Sequence, residues 1–223
     1  MNIQTWADSL TKEIYDAWKA KYVFWKPGIK VWYAPVVEHP KLLIITLQPG
    51  GGQADFETEN LEAFEAGDFT QGTNEYIEAN YVSAKKIRSF FDFDPTYEVL
   101  KQSVIVPLVF FRSPSISVWN NDFSPNKCAE MEGLCFAKTK EVVDTVKPKK
   151  IFVIGMKAYK KLKDLLGTVE DERVVYARRG GAEELVITAS SNGTPICAVM
   201  HFSGSHINKA DWQMMQTLFK EWY

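Results

Sequence analysis

The segment from residue 41 to residue 52 reads Lys-Leu-Leu-Ile-Ile-Thr-Leu-Gln-Pro-Gly-Gly-Gly. Its first seven residues form a nearly continuous apolar run, which is typical of a strand buried on both faces of a sheet. The Pro-Gly-Gly-Gly sequence that follows breaks the chain sharply. The segment therefore predicts a central strand with a glycine-rich loop at its carboxyl end.

Further apolar segments alternate with helical patterns along the chain. Short strands are predicted at residues 29–34, 103–111, 151–154, 174–176, 185–188 and 196–200. Helical spacing of apolar residues predicts helices at residues 5–20, 80–91, 128–146, 157–166 and 211–222. We therefore expect an α/β protein with a three-layer α/β/α fold and a central, mostly parallel sheet. Pro107 favours an edge position, a bulge or an early stop for its strand.

The composition indicates one soluble globular domain spanning residues 1–223, with 46% apolar and 24% charged residues. Cys128, Cys135 and Cys197 are odd in number and irregularly spaced, so we expect neither a disulfide framework nor a tetrahedral metal site. Charged residues within the first 18 argue against a signal peptide. No apolar run approaches the roughly 20 residues that cross a bilayer. These observations predict a cytoplasmic protein without membrane association.

The formal net charge of −2 gives no support to broad electrostatic attraction to nucleic acid. A local basic surface remains compatible with it, and the C-terminal half supplies candidates. They are Lys147, Lys149, Lys150, Lys157, Lys160, Lys161, Lys163, Arg178 and Arg179. A solvated helix face is the favoured interpretation of these residues, and a surface that faces DNA is the alternative.

Two loops follow predicted strands at the ends where open α/β sheets bind ligands. The loop at residues 48–55, Gln-Pro-Gly-Gly-Gly-Gln-Ala-Asp, lets the backbone approach a ligand closely, although it lacks the Gly-Lys-Ser/Thr of a phosphate-binding P-loop. A tight turn is the simpler alternative. His201 follows the strand at residues 196–200, where an imidazole can donate a hydrogen bond to a developing oxyanion. A structural histidine is the alternative there.

Together these segments resemble the uracil-DNA glycosylase superfamily. Residues 48–51 (Gln-Pro-Gly-Gly) resemble its first motif, and residues 52–54 (Gly-Gln-Ala) resemble the sequence that follows it. Residues 111–114 (Phe-Arg-Ser-Pro) and the strand–glycine–helix unit at 151–158 are similar to further family segments. Residues 201–205 (His-Phe-Ser-Gly-Ser) stand where the family has His-Pro-Ser. The matches are partial, but they occur in order from about residue 41 to residue 220.

This resemblance implies a DNA glycosylase, which flips a pyrimidine nucleotide out of DNA and cleaves the bond between base and deoxyribose. The expected partner is DNA, the expected oligomeric state is a monomer, and no cofactor is expected. The implied catalytic residues are His201, Gln48 and Asp55. The implied base-binding residues are Gly50, Gly51, Gln53, Phe110 and Phe111. The implied DNA-binding residues are Arg112, Ser113, Ser203, Gly204, Ser205 and His206.

The departures from the family pattern bear on activity and specificity. Gln48 stands where the family has a water-orienting Asp or Asn, and a neutral amide can position water but cannot act as a general base. Asp55 is the alternative carboxylate, although a helix-capping role is the commoner use of such a residue. Gly50 stands where an aromatic residue blocks the thymine methyl group in the uracil-specific enzymes. Without that aromatic ring the mouth of the base pocket should be wider, which favours a larger, modified pyrimidine.

Three functions follow, in order of preference. The first is a glycosylase acting on a uracil-like or modified pyrimidine, in repair or in defence against modified viral DNA. The second is a non-catalytic member of the same fold that binds DNA or protein, which Gln48 and the acidic net charge favour. The third is a hydrolase or nucleotide-binding enzyme that holds phosphate with the glycine-rich loop. For Phe110 and Phe111, a core position is the alternative to base stacking.

Overall fold

The strand predicted at residues 41–47 forms the centre of the sheet. The computed structural model describes residues 2–93, 96–178, 183–202 and 207–223, hereafter the described residues. Their six strands are β1 (Leu43–Thr46), β2 (Val104–Pro107), β3 (Ile151–Ile154), β4 (Glu170–Tyr176), β5 (Glu184–Ser191) and β6 (Thr194–Val199). The spatial order is β2-β1-β3-β6-β5-β4. The pairs among β2, β1, β3 and β6 are parallel, and β5 is antiparallel to both β6 and β4. The sheet is therefore mixed and mostly parallel.

Helices connect the strands at most positions that the sequence predicts. In chain order they are α1 (Ile3–Ala17), α2 (Gln53–Phe56), α3 (Glu62–Glu65), α4 (Glu75–Glu78), α5 (Val82–Phe90), α6 (Thr96–Lys101), α7 (Ile116–Asp122), α8 (Pro125–Val146), α9 (Met156–Leu166) and α10 (Lys209–Trp222). Two π-helical turns, Trp18–Tyr22 and Glu57–Leu61, extend α1 and join α2 to α3. Among the described residues, no helix combines the length and the apolarity needed to cross a bilayer.

Both faces of the sheet are covered, as the alternation of side chains along β1 shows. Leu43 and Ile45 pack into one apolar cluster with residues of α1, α8 and α9. Leu42 and Ile44 point to the opposite face and pack with residues of α5, α6 and α10. Because successive strand residues face opposite sides, a strand between two helical layers must be apolar throughout. This arrangement confirms the three-layer α/β/α fold.

The predicted strand at residues 29–34 is wrong, although the segment is buried and runs beside β2. Ile29 forms an isolated bridge with Phe111, and the Lys30 and Tyr33 amides donate to the carbonyls of Phe110 and Ile105. These bonds are too widely spaced for a continuous ladder. Pro107 ends β2 and that strand lies at the sheet edge, in agreement with the sequence.

The parallel strands end at one edge of the sheet, called here the carboxyl edge. From β1 the chain leads to β2 on one side, whereas from β3 it leads towards the strands on the other side. Two neighbouring strands whose connections diverge leave a crevice between their carboxyl ends, which is where open α/β sheets bind ligands. The loop after β1 and the residues after β6 both emerge at this edge.

Candidate functional site

A cavity of about 630 Å³ opens at the carboxyl edge. Its lining includes Thr46 and Leu47 at the end of β1, Ile154 at the end of β3, and His201 after β6. The volume lies within the range of about 300–1000 Å³ that is usual for small-molecule sites. The cavity therefore occupies the crevice that the topology creates.

The structure brings residues from both predicted loops together around this cavity. The predicted site residues in its lining are Gln48, Gly50, Gly51, Asp55, Arg112, Ser113 and His201. Gln53 does not line it. That side chain is exposed on α2, where its Nε2 donates to Glu57 Oε1 at 2.7 Å. The expected contact between Gln53 and a base is therefore not supported, because the side chain is turned along its own helix.

The amide of Gln48 is held in one orientation by the backbone. Its Nε2 donates to the carbonyl oxygen of Phe111 at 3.0 Å. A carbonyl accepts only a donor, so this contact assigns the NH₂ end of the amide. The Oε1 atom is the remaining acceptor of a half-buried side chain in the cavity lining.

Asp55 caps the helix that follows the glycine-rich loop. Its Oδ2 accepts a hydrogen bond from the amide of Gly52 at 2.6 Å, which is the capping role considered as the alternative. Asp55 also belongs to the cavity lining. Gly51 lies against it with φ of 96°, and a Cβ at Gly51 would come within 2.9 Å of Asp55 Oδ2 and 3.0 Å of Arg112 Nη1. The loop conformation therefore requires glycine at position 51.

We expect Gly51→Ala to lower the free energy of unfolding by about 1–3 kcal/mol, because alanine is strained at this φ and its Cβ has no room. Gly50→Ala is the matched control, since a Cβ there meets no atom within 4 Å. It should change the free energy by less than about 0.5 kcal/mol. Urea unfolding of both variants measures the difference. Equal midpoints for the two would contradict the assigned loop conformation.

His201 is an exposed residue of the lining whose surroundings are well packed. Its ring lies against Gly155, where an added Cβ would come within 3.3 Å of His201 Cδ2. The next residue, Phe202, is anchored by ring contacts to Phe90 at 4.8 Å and Trp212 at 5.1 Å. Phe202 thus belongs to the apolar core, and His201 precedes it at the cavity.

Phe110 and Phe111 do not reach the cavity. Both side chains are completely buried. The ring of Phe111 packs against Tyr22 at 5.2 Å and Trp119 at 6.0 Å. These two residues therefore belong to the core, which is the alternative considered for them, and neither can stack on a base in this structure.

Arg112 and Ser113 face inwards, which differs from the expected contact with DNA phosphates. They are only 3% and 4% exposed. Arg112 Nη2 pairs with Glu59 and donates to Asn60 Oδ1 at 2.8 Å, while Nη1 donates to the Gly50 carbonyl at 3.2 Å. Arg112 thus joins the glycine-rich loop to the π-helical turn. The other predicted DNA-binding residues, Ser203, Gly204, Ser205 and His206, lie outside the described residues.

The sequence patterns did not single out a set of four charged residues in the cavity lining, called here the charged cluster. Its members are Lys30, Glu59, Glu75 and Arg112. Lys30 is 3% exposed and its Nζ pairs with Glu75 and, at 3.3 Å, with Glu59 Oε2. The available signal was a lysine within the apolar segment at residues 29–34, since a lysine is almost never fully buried unless it is paired.

Burial and the buried cations act in opposite directions on the two carboxyl groups. Burial raises the pKa of Glu75, and Lys30 only partly opposes this effect. Burial also disfavours the charged form of Glu59, but Arg112 and Lys30 outweigh it and hold that pKa below its usual value. Glu59 is therefore the more firmly ionised of the two.

Six of the predicted basic residues are paired with other groups or lie away from the cavity. Three lysines of α9 are paired with carboxylates at 2.6–2.7 Å: Lys160–Glu184, Lys161–Glu132 and Lys163–Glu172. Lys147, Lys149 and Lys150 precede β3 and lie at the opposite edge of the sheet. The paired lysines of α9 fit the solvated-face interpretation, whereas Lys150 is half-buried and its Nζ donates to the carbonyl oxygens of Trp222 and Tyr223. Arg179 lies outside the described residues.

Among the described residues, no group of three or more His, Cys, Asp or Glu side chains is placed to hold a metal ion. The three cysteines are free thiols, and burial raises the pKa of Cys135 to about 12. Comparison with protein-family models and with curated proteins found no match to this chain.

Proposed function

We propose that this protein is a DNA glycosylase that hydrolyses the bond between deoxyribose and a flipped uracil-like or modified pyrimidine, in repair or in defence against modified viral DNA. The observation that carries the proposal is that Gln48 and His201, far apart in sequence, line one cavity at the carboxyl edge. Two loops that resemble one family's catalytic motifs thus meet at a single site. The proposal includes a monomer acting alone on DNA.

The reaction requires two kinds of help from the protein. The bond from the base nitrogen to C1′ breaks with its electron pair remaining on the base, so negative charge develops there and positive charge on the sugar. Water then adds to C1′, and one of its protons is released to the base or to solvent. A catalyst must stabilise the leaving base and hold the water.

His201 is suited to the first task. An imidazole N–H directed at a pyrimidine carbonyl oxygen is worth most where charge develops, and removal of one such donor typically costs about 10²–10³-fold in rate. The anchored main chain at Phe202 favours this role, because a fixed donor needs little reorganisation during the reaction.

Gln48 and Asp55 are suited to the second task. The contact with Phe111 leaves Gln48 Oε1 as an acceptor that can orient water. The carboxylate of Asp55 binds the Gly52 amide through Oδ2, so a charged group stands in the lining close to the same loop. A carboxylate there also stabilises a cation-like sugar by simple attraction.

The residues around the cavity opening favour DNA over a free nucleotide. Tyr81, Val82 and Ile116 line the cavity and are 38%, 66% and 39% exposed. Exposed apolar and aromatic side chains at such a position can contact the bases that flank an extruded nucleotide. The open space beside Gly50 favours a pyrimidine larger than uracil.

The direct test incubates the protein with duplexes that carry uracil, a thymine mismatch or a modified cytosine, and detects abasic sites by alkaline cleavage. We expect product from at least one duplex. Asp55→Asn separates the two roles of that residue, because asparagine keeps an oxygen for the Gly52 amide but loses the charge. A reduced rate with an unchanged unfolding midpoint would support a role in the reaction.

Negative results would distinguish an enzyme from a binding protein, and a catalytic Asp55 from one that only caps its helix. If every duplex is bound and none yields product, the non-catalytic interpretation replaces the enzyme. If Asp55→Asn reacts as fast as the wild type, Asp55 is a capping residue alone. If no duplex is either bound or cleaved, the proposal fails.

A further inference from the structure

The charged cluster lies on the interior side of the cavity and is electrically balanced. Lys30 and Arg112 supply two positive charges, and Glu59 and Glu75 supply two negative ones. Both cations are 3% exposed, although they line the cavity. The cluster therefore has no net charge, and it would interact with a ligand mainly through hydrogen bonds.

The cations of the cluster are already occupied. Lys30 Nζ contacts both carboxylates and lies 5.1 Å from the centre of the Tyr33 ring. Arg112 uses Nη1 for the Gly50 carbonyl and Nη2 for Glu59 and Asn60. The protein's own contacts thus consume most of the donors in this part of the cavity.

The carboxylates retain unused acceptors. Lys30 and Arg112 contact only Oε2 of Glu59, and Lys30 contacts only Oε1 of Glu75. These ion pairs leave the other oxygen of each group, Glu59 Oε1 and Glu75 Oε2, without a contact from Lys30 or Arg112. The two side chains are 43% and 20% exposed, so ligand atoms can approach them.

Arg112 takes part in this end of the cavity mainly through its contacts with the protein. Arg112 Nε is buried and has no hydrogen-bond partner among the described residues. A buried donor without an acceptor is unfavourable. Because this nitrogen is buried, a ligand in the cavity can reach the two carboxylates but not Arg112 Nε.

We infer that the charged cluster binds the amino-bearing edge of a base, so that the substrate is a cytosine-type rather than a uracil-type pyrimidine. The inference rests on the proposed function and narrows its substrate class. Carboxylates accept hydrogen bonds from the 4-amino group of cytosine, whereas the 4-carbonyl oxygen of uracil would face them as a second acceptor.

The burial of Glu75 agrees with such a ligand. Burial raises the pKa of this carboxyl group because its charged form loses contact with water. An N–H donor beside Oε2 replaces part of that solvation and favours the charged form. Because ordinary cytosine occurs throughout DNA, selective release also requires a substituent that occupies the space near Gly50.

The test measures binding separately from base release. Two duplexes differ only at one nucleotide, 2′-fluoro-2′-deoxycytidine or 2′-fluoro-2′-deoxyuridine, each opposite an abasic-site analogue so that neither base is paired. The fluorine disfavours a cation-like sugar and so suppresses cleavage. Fluorescence anisotropy at one salt concentration gives the Kd of the wild-type protein for each. We expect the cytosine duplex to bind about tenfold to a hundredfold more tightly, as for a hydrogen bond to a charged group.

Two variants assign the preference to the cluster. Glu75→Gln should reduce the preference for the cytosine duplex to less than about threefold. An amide can both donate and accept hydrogen bonds, so it can pair with either base. Glu78→Gln, at an exposed position of the same helix α4, is the matched control and should retain it. If Glu75→Gln does not fold, the comparison of the two duplexes with the wild-type protein still decides the inference.

Each outcome separates this inference from the proposed function. Equal affinity, or tighter binding of the uracil duplex, overturns the inference even if the protein releases uracil. A cytosine preference without base release from any substrate supports the inference and refutes the glycosylase. If neither duplex binds more tightly than one with an ordinary pair at that position, both proposals fall.

Discussion

Replacing His201 with asparagine should slow base release by about a hundredfold to a thousandfold, because the leaving base loses its strongest donor. Asparagine retains a polar side chain but places its N–H elsewhere and carries no ring against Gly155. The exposure of His201 predicts little effect on stability. Single-turnover kinetics with excess protein isolate the chemical step from substrate binding and product release.

His39→Asn is the matched control for this variant. His39 is also exposed, but it precedes β1 and so lies at the edge of the sheet opposite to the cavity. Its φ of 50° is one that asparagine tolerates. The control should react at the wild-type rate. If both variants react equally fast, His201 is not part of the reaction, and the alternative of a structural histidine gains support.

Lys30→Met should lower the free energy of unfolding by about 1–3 kcal/mol at neutral pH, because it leaves the partly buried carboxylate of Glu75 without its cation. Methionine has a similar length, so the loss of packing is small. Glu75 depends on Lys30 most directly, since its side chain is only 20% exposed. Glu59 keeps its pair with Arg112. Urea unfolding at several pH values measures the effect.

The pH dependence of this variant identifies the group responsible. The pKa of Glu75 is already raised by burial above the reference value of 4.5, and the loss of Lys30 should raise it further. A carboxyl group with a raised pKa favours the folded state only when protonated. The deficit of Lys30→Met relative to wild type should therefore be smallest below about pH 4.5. It should grow as the pH rises through the folded-state pKa.

Two further variants test the assignment. Lys12→Met breaks an ion pair with Asp16 at 2.6 Å in which both side chains are more than half exposed, and it should cost less than about 0.5 kcal/mol. The double variant Lys30→Met/Glu75→Gln should recover much of the loss, since no buried charge remains unpaired. A loss of equal size in the double variant, or one independent of pH, would mean that Glu75 is not the group destabilised.

The local sequence was sufficient to predict most of the secondary structure. The strand at residues 151–154 and the helix at 157–166 agree closely with β3 and α9, because a short apolar run followed by Gly155 allows few alternatives. Pro107 favoured an edge position, a bulge or an early stop, because proline has no N–H to donate to a neighbouring strand, and β2 both ends at Pro107 and lies at the sheet edge. The segment at residues 29–34 was wrongly predicted as a strand because its apolar residues, which are buried, resemble those of a buried strand.

The candidate site was predictable only in part. The loop after β1 and His201 could be assigned to one edge of the sheet, because the carboxyl ends of parallel strands meet there. Apolar patterning could not separate Phe111, which lies in the core, from an aromatic residue beside a ligand. It also gave no means of seeing that Arg112 turns inwards to Glu59, since that contact depends on how the π-helical turn packs.

The sequence by itself determined the α/β class, the central strand at residues 41–47 and the glycine-rich loop that ends it, because these depend on interactions between neighbours in the chain. Only the tertiary structure decided which side chains share the cavity with that loop. Lys30 and Glu75 reach it from two separate segments, and their charges become important only because packing removes them from water. Burial of that kind is a property of the assembled layers, and no local pattern encodes it.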